Sequence, residues 1–260
     1  MRKAVLLVTA TVAFAAAAAV PASALASSPL SGWWPLYENG GATAHDASGH
    51  QNTGTLSGGV QWSSGYFGSG LTFDGDAGQV DVPNSAALEP SSTLTVTAYV
   101  KAAGSPGVNK YVIDKGASYC IAASYGLYTG ANGGLEFYFS QNGGFTYYPS
   151  PDAGTGIWDG KWHLVVGTYD GSNVRLYVDG SQVGSGTPAS GAIGYGLGTN
   201  NDLEIGHYGG PCPQSDNFAG SIDEPTVWTQ AWNANQVMGA YRLLSLLHGF
   251  TSRLPSFPNT

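Results

Sequence analysis

The sequence predicts an all-β fold of two packed antiparallel sheets with one short C-terminal helix. Three observations carry this expectation. The stretch Lys161–Gly180 holds two runs rich in β-branched and aromatic residues, Trp162–Tyr169 and Val174–Val178. They are split by the polar turn Asp170-Gly171-Ser172-Asn173, the pattern of a β-hairpin. Ser92–Lys101 alternates, with Leu94, Val96, Ala98 and Val100 on one face and Thr93, Thr95, Thr97, Tyr99 and Lys101 on the other. That spacing predicts a strand with one buried face and one more polar face. Glycine (39) and tyrosine (15) are abundant while charged residues make up only 10%. This mix suits many short strands and tight turns rather than a helical enzyme.

The elements follow in chain order. Gly32–Tyr37 opens the fold, and Pro35 within it marks an edge strand. The loop Glu38–Asn52 is rich in Gly, Asp, Asn and Ser. Val60–Trp62 and Leu71–Asp74 read as short strands, and Gln79-Val80-Asp81-Val82 alternates until Pro83 stops it. Tyr111–Asp114, Tyr119–Ala123 and Gly134–Ser140 continue the pattern. A turn at Asn142-Gly143-Gly144 precedes Phe145–Tyr148, and Pro149–Gly160 is a loop. A second Asp-Gly, Asp179-Gly180, ends the hairpin. Ser185–Asn201 is a Gly-rich surface connection, Leu203–Gly206 a short strand, and Asn217–Thr229 carries the last strand. Asn233–Leu244 reads as helix, with Val237, Tyr241 and Leu244 on one face. The tail 245–260 has no pattern that settles its structure.

Met1-Arg2-Lys3, the apolar run Ala4–Val20, Pro21 and the small residues Ala24-Leu25-Ala26 form the pattern of a secretory signal peptide over residues 1–26. A membrane anchor is the alternative, but the run falls short of the roughly 20 residues a span needs. The expected location is therefore extracellular, without stable membrane insertion after cleavage. Removing the leader takes two of nine cations and leaves seven against 17 acids, a formal charge of −10. Such a surface repels phosphate backbones, so nucleic acid is an unfavourable partner. Cys120 and Cys212 are the two cysteines. In an exported chain they are expected to pair as a disulfide.

The hairpin spacing W-H-x-x-x-x-T-Y-D-G-x-x-x-x-L-Y-V-D-G, from Trp162 to Gly180, resembles the signature hairpin of laminin-G-like (LamG, concanavalin A-like) jelly-roll domains. His45–Gly49 through Asn52-Thr53-Gly54 is similar to the family's early D-x-S-G…N-x-G loop. Gly68–Gly75 resembles its G-x-A-L-x-F-D-G strand. Phe218–Glu224 with Val227-Trp228 resembles its last F-x-G-x-I-D-E-x-x-V-W strand. The four stand in family order over residues 32–241. The resemblance implies a two-sheet jelly-roll sandwich over residues 27–244 that serves as a binding or structural module, without implying a particular ligand.

The resemblance also brings the 46–54 loop beside the final strand, where relatives hold a structural calcium. Asp46, Asn52 and Asp223 are the expected ligands, since calcium takes six to eight oxygens from carboxylates, amides and carbonyls. The alternative is that Asp46 makes an Asx turn and Asp223 caps loop backbone. Asp74 and Asp76 form a weaker cluster, more readily explained as a turn.

For glycans the candidates are Tyr125, Tyr128, Phe145, Tyr147, Tyr148 and Tyr208, with Tyr195 as a further ring, because flat rings stack on sugar faces. Ordinary packing is the competing explanation for each. Trp33, Trp62, Trp162 and Trp228 fall in motif strands and are assigned to sheet packing. Glu136, Glu204 and Glu224 do not form the E-x-D-x-x-E run that places two carboxylates on one strand face for glycoside hydrolysis. His163 lies inside a strand, and no G-x-S-x-G elbow exists. The expectation is a non-catalytic recognition module for an extracellular glycan or cell-surface polymer. A glycan-active hydrolase or lyase, and a structural or protein-interaction domain, are the alternatives.

Overall fold

The computed structural model describes residues 28–117, 120–196, 200–210 and 216–251. The leader expected over residues 1–26 lies outside them, as do Cys212 and the end of the tail.

Two antiparallel sheets form the sandwich. The first contains β1 (Leu30–Trp33), β4 (Gln61–Ser64), β5 (Ser69–Asp74), β7 (Leu94–Lys101), β12 (His163–Tyr169), β13 (Asn173–Val178), β14 (Ser181–Gln182), β15 (Thr187–Pro188) and β17 (Ala219–Trp228). Its order is β14-β13-β12-β7-β17-β5-β4, with β1 beside β17 and β15 beside β13. The second contains β2 (Thr43–Ala44), β3 (Gly54–Ser57), β6 (Gln79–Val82), β8 (Tyr111–Ala117), β9 (Tyr125–Thr129), β10 (Leu135–Gln141), β11 (Thr146–Pro149) and β16 (Asn200–Ile205), in the order β11-β10-β9-β8-β16-β6-β3-β2. The two-sheet jelly roll expected from the sequence is what the chain forms.

Between the sheets lies one core. Leu94, Val96, Ala98 and Val100 of β7 point into it, as their alternation requires, and meet Leu127, Phe137, Phe139, Leu203 and Ile205 of the other sheet. The sheets touch closely at Gly167, where an added Cβ would lie 2.1 Å from Cγ of Phe137. The signature hairpin pairs Val165 with Val178 and Tyr169 with Val174. Its exit is a two-residue turn, Asp179-Gly180, with φ of 49° and 82° between the paired Val178 and Ser181. That is the sign pattern Asp-Gly serves in a hairpin whose strands twist right-handedly. Asp179 also grips His163 through Nδ1 at 2.7 Å, while Asp159 takes Nε2 at 3.1 Å. Burial opposes the imidazolium, but the two carboxylates outweigh it and raise the His163 pKa. His163 is a strand clamp.

The more polar face of β7 is present but is covered and not left to solvent: Thr95, Thr97 and Tyr99 are all buried. The covering element is α1 (Ala234–Thr251), which packs Val237 and Leu244 with Phe67, Tyr99, Leu164, Val166 and Tyr177 in a second apolar cluster. Tyr66 lies stacked between Tyr99 at 3.8 Å and His248 at 4.1 Å. The helix begins with a reciprocal cap. Asn233 Oδ1 accepts from the amides of Asn235 and Gln236, and Gln236 Oε1 accepts from the Asn233 amide. It runs seven residues beyond the expected end at Leu244 and takes in the first part of the tail. Among the described residues no helix is long and apolar enough to cross a membrane.

Candidate functional site

The site grows from the register of the second sheet. In β8, β9 and β10 the residues that do not point into the core lie on the outer face. Glu136 pairs with Tyr128, and Tyr128 with Tyr111, giving one row across three strands. The next row is Tyr138, Gly126, Asp114, Glu204 and Asp81, carried across β10, β9, β8, β16 and β6. Register partners in a sheet share a face, so one strip of this face is aromatic and the adjoining strip acidic.

Tyr111, Tyr128, Tyr138, Tyr147 and Tyr208 converge on a cavity of about 380 Å³, whose wall also includes Asn109, Ile121 and Asp216. The rings support one another edge to face: Tyr128 and Tyr138 at 4.9 Å, Tyr138 and Tyr147 at 5.8 Å. Tyr111 lies 4.8 Å from Tyr208. Hydrogen bonds set the ring orientations. Tyr138 Oη donates to Tyr111 Oη at 3.2 Å and accepts from the Ala123 amide, and Tyr208 Oη donates to the Ile121 carbonyl. Tyr128 Oη donates to Glu136 Oε2 at 3.0 Å. Gly126 makes the crowding possible. A Cβ there would stand 3.3 Å from Cε1 of Tyr138 and 3.4 Å from Cε1 of Tyr111. Tyr147 is 51% exposed at the mouth, and Phe145, 80% exposed, stands nearby at the turn before β11.

Of the six rings expected to bind glycan, Tyr128, Tyr147 and Tyr208 therefore line one cavity. Phe145 is exposed outside its wall. Tyr125 and Tyr148 do not belong to it. Tyr125 is fully buried in the core with Oη on the Leu88 carbonyl, and Tyr148 stacks on Phe139 at 5.2 Å on the core side. Tyr195 likewise packs against the core. Tyr111 and Tyr138 were not among the expected residues.

Behind the tyrosines lies the acidic strip. Asp114 is fully buried, and neither of its carboxylate oxygens has a hydrogen-bond partner. Glu204 is 3% exposed; its Oε1 accepts from Asn200, while Oε2 has no partner. Burial, then the charge of its neighbour Asp81, pushes the Glu204 pKa up to about 8. Burial and the adjacent Glu204 also hold Asp114 well above the ordinary carboxylate range.

The residues expected to hold calcium are arranged differently. Asp46 Oδ1 accepts from the amides of Trp33 and Ser48, and Oδ2 from Ser48 Oγ and the Asn52 amide. Four donors fill the carboxylate's acceptor sites. Asn52 turns its side-chain amide to the Ser31 carbonyl. Asp223 is buried, with Oδ2 on the Phe67 amide and Oδ1 on the Glu224 amide. In this structure all three side chains are engaged in hydrogen bonds, and those of Asp46, Ser48 and Asn52 to Trp33 and Ser31 fasten the 46–52 loop to β1. Among the described residues no three His, Cys, Asp or Glu side chains gather to hold a metal ion. Asp74 closes its own turn by accepting from Asp76, Ala77 and Gly78. Glu224 accepts from Trp33 Nε1 at 2.6 Å and from Tyr37 Oη, and burial raises its pKa to about 7.

Cys120 lies in the turn that follows β8 and forms part of the cavity wall. Its expected partner, Cys212, lies outside the described residues.

Two antiparallel sheets packed over one core define a jelly-roll sandwich. The chain belongs to the concanavalin A-like lectin/glucanases superfamily, whose laminin G family model matches residues 74–238. None of the curated proteins matches the sequence. Among solved structures, the chain is similar to domain 4 of an extracellular arabinanase from Geobacillus stearothermophilus, in complex with arabinotriose. The TM-score is 0.62 at 18% identity, over 82% of this chain and 98% of that one. It is also similar to the binding domain of botulinum neurotoxin DC in complex with rat synaptotagmin II, with a TM-score of 0.61, 16% identity and 83% of this chain covered. A third likeness is to Trypanosoma rangeli sialidase in complex with sialic acid, with a TM-score of 0.60, 17% identity and 84% covered. The chain spans 52% of the toxin domain and 33% of the sialidase. At these identities the likeness shows the fold.

Proposed function

We propose that the chain is a secreted, non-catalytic glycan-binding module whose ligand lies in the tyrosine cavity on the outer face of the second sheet. One observation carries this reading: five tyrosines from β8, β9, β10, β11 and the segment after β16 face one cavity of about 380 Å³. That volume is in the range of small-ligand sites. Tyr147 offers a flat apolar face and a hydroxyl to a sugar, and the four buried rings build the wall against which it stands. The half-exposed Tyr147 and the exposed Phe145 extend this surface toward solvent. The arabinotriose held by the Geobacillus domain and the sialic acid held by the sialidase agree with a glycan ligand. The leader-like first 26 residues support export, and a Cys120–Cys212 disulfide fits an exported chain.

The non-catalytic part rests on the carboxylates. Asp216 is the one acid lining the cavity among the described residues, whereas glycoside hydrolysis uses a facing pair. Asp114 and Glu204 are adjacent but buried away from it. The test is a glycan array on the mature protein, followed by titration of any hit with Tyr147→Ala and Tyr128→Ala. We expect retention of a saccharide and at least tenfold weakening in each variant, from roughly 1–2 kcal/mol of lost stacking. No retained glycan, or variants that bind as the parent does, refutes the reading. Reducing-sugar release abolished by a single carboxylate substitution establishes the hydrolase instead.

A further inference from the structure

Acids outnumber bases around the cavity. Asp216 stands in its wall. Asp114 follows Tyr138 in the same row of the same face, with only the side-chain-free Gly126 between them, and both of its oxygens are buried without partners. Glu204 and Asp81 extend the row, each with an unpartnered buried oxygen. Glu136 holds the outer hydroxyl of Tyr128.

Positive charge is scarce here. No Lys or Arg lines the cavity among the described residues. Lys115, from the same strand as Asp114, carries its ammonium to Asn84, Glu89 and the Asn201 carbonyl. Lys110 stands beside Asp216 and partly offsets it. Burial disfavours the imidazolium of His207.

Tyrosine faces carry negative electrostatic potential and attract cations. Tyrosine rings with the Asp216 carboxylate in their wall therefore select against anionic ligands and for cationic ones. We infer that the cavity recognises a saccharide bearing a free ammonium group, a glucosamine-type oligosaccharide, with the ammonium over the tyrosine rings and beside Asp216. The inference rests on the glycan-binding reading and specifies its ligand class. An acetylated amine loses the charge, and a uronic or sialic acid brings the wrong one.

The probes are glucosamine oligomers of defined length, their fully N-acetylated counterparts, neutral arabino-oligosaccharides and galacturonic acid oligomers. Each is titrated calorimetrically at pH 6 in low salt. We expect the free-amine oligomer to bind roughly tenfold tighter than the acetylated one, and the uronic acid oligomer to bind weakest. Asp216→Asn should narrow the amine preference several-fold, as should 0.5 M salt, roughly as screening of an accessible charge requires. Asp114→Asn, a change at a carboxyl buried away from the cavity and held well above the ordinary carboxylate range, should leave the preference unchanged. Acetylated, neutral or anionic oligomers that bind as tightly, through Tyr147, overturn the charge preference and leave the glycan reading standing. No binding by any oligomer overturns both.

Discussion

Glu204 sits directly opposite Asp114 across β16 and β8, and each buries at least one carboxylate oxygen that no donor reaches. Two acids this close, removed from water, cannot both ionise cheaply. Glu204, with a pKa near 8 against the ordinary 4.5, keeps its proton in the native state where the unfolded chain has lost it. The native state then binds more protons than the unfolded one, so stability falls as pH rises from about 4.5 to 8 and levels off above. Asp114 acts in the same direction. His163, with its raised pKa, adds stability that is complete below about 6.5 and fades as pH climbs through its folded value. Glu204→Gln should therefore stabilise the protein by about 2–4 kcal/mol at pH 9 and hardly at all at pH 4. Melting temperatures followed from pH 4 to 9 check this. Parallel profiles for parent and variant would show that Glu204 is ionised in the fold.

The second prediction concerns Cys120. A bond to Cys212 closes a loop of about 92 residues, which in the chain-entropy picture stabilises by roughly 4–5 kcal/mol. Cys120, Ile121 and Ala122 also line the tyrosine cavity, and Tyr208 Oη bonds to the Ile121 carbonyl. Reduction should lower the melting temperature and weaken ligand binding together. Thiol titration of the denatured, unreduced mature protein should find no free thiol. Two thiols per chain would remove the bridge.

Asp46 gives the third. Of its four hydrogen bonds, the one from the Trp33 amide ties the 46–52 loop to β1 and the three from Ser48 and Asn52 close the loop on itself. Asp46→Ala leaves the amides of Trp33, Ser48 and Asn52 to find other partners. It should cost about 2–3 kcal/mol, with or without calcium. EDTA and millimolar calcium should give the same melting curve for the parent protein. A melting temperature that falls with EDTA, recovers with calcium, and no longer responds in Asp223→Ala would restore the calcium site.

What the sequence disclosed, and what it hid, follows from the range of the interactions concerned. The hairpin at 161–180 and the alternation of β7 are local, and both were legible. Burial of the second face of β7 was not, because its cover is a helix some 140 residues away in sequence. Within the site, parity decides. Tyr125 and Tyr128 stand three apart in one strand, and Tyr147 and Tyr148 are neighbours, so in each pair only one ring can face the cavity. Tyr138 was legible in principle, since it alternates with Leu135, Phe137 and Phe139, which are core residues. The row Asp81–Glu204–Asp114 was not, for it exists only through the register of three strands distant in sequence.

Gly126 supplies the last prediction. It occupies the centre of the row between Tyr138 and Asp114, where the absent side chain leaves room for two rings to lean together. An alanine Cβ would sit 3.2 Å from the Ile113 carbonyl oxygen and 3.3–3.4 Å from the two ring edges, so the rings have to shift by a few tenths of an ångström. Gly126→Ala should change stability by less than about 1 kcal/mol, since alanine also restricts the unfolded chain. Stacking geometry is more demanding than packing, so binding of any glycan held by the cavity should weaken several-fold in the same variant. Gly126→Leu should displace Tyr111 and Tyr138 and destabilise by about 1–3 kcal/mol through overpacking. Thermal melts beside titrations separate the two effects. Full affinity in Gly126→Ala and Gly126→Leu together, with each protein folded, would place the ligand somewhere other than these rings.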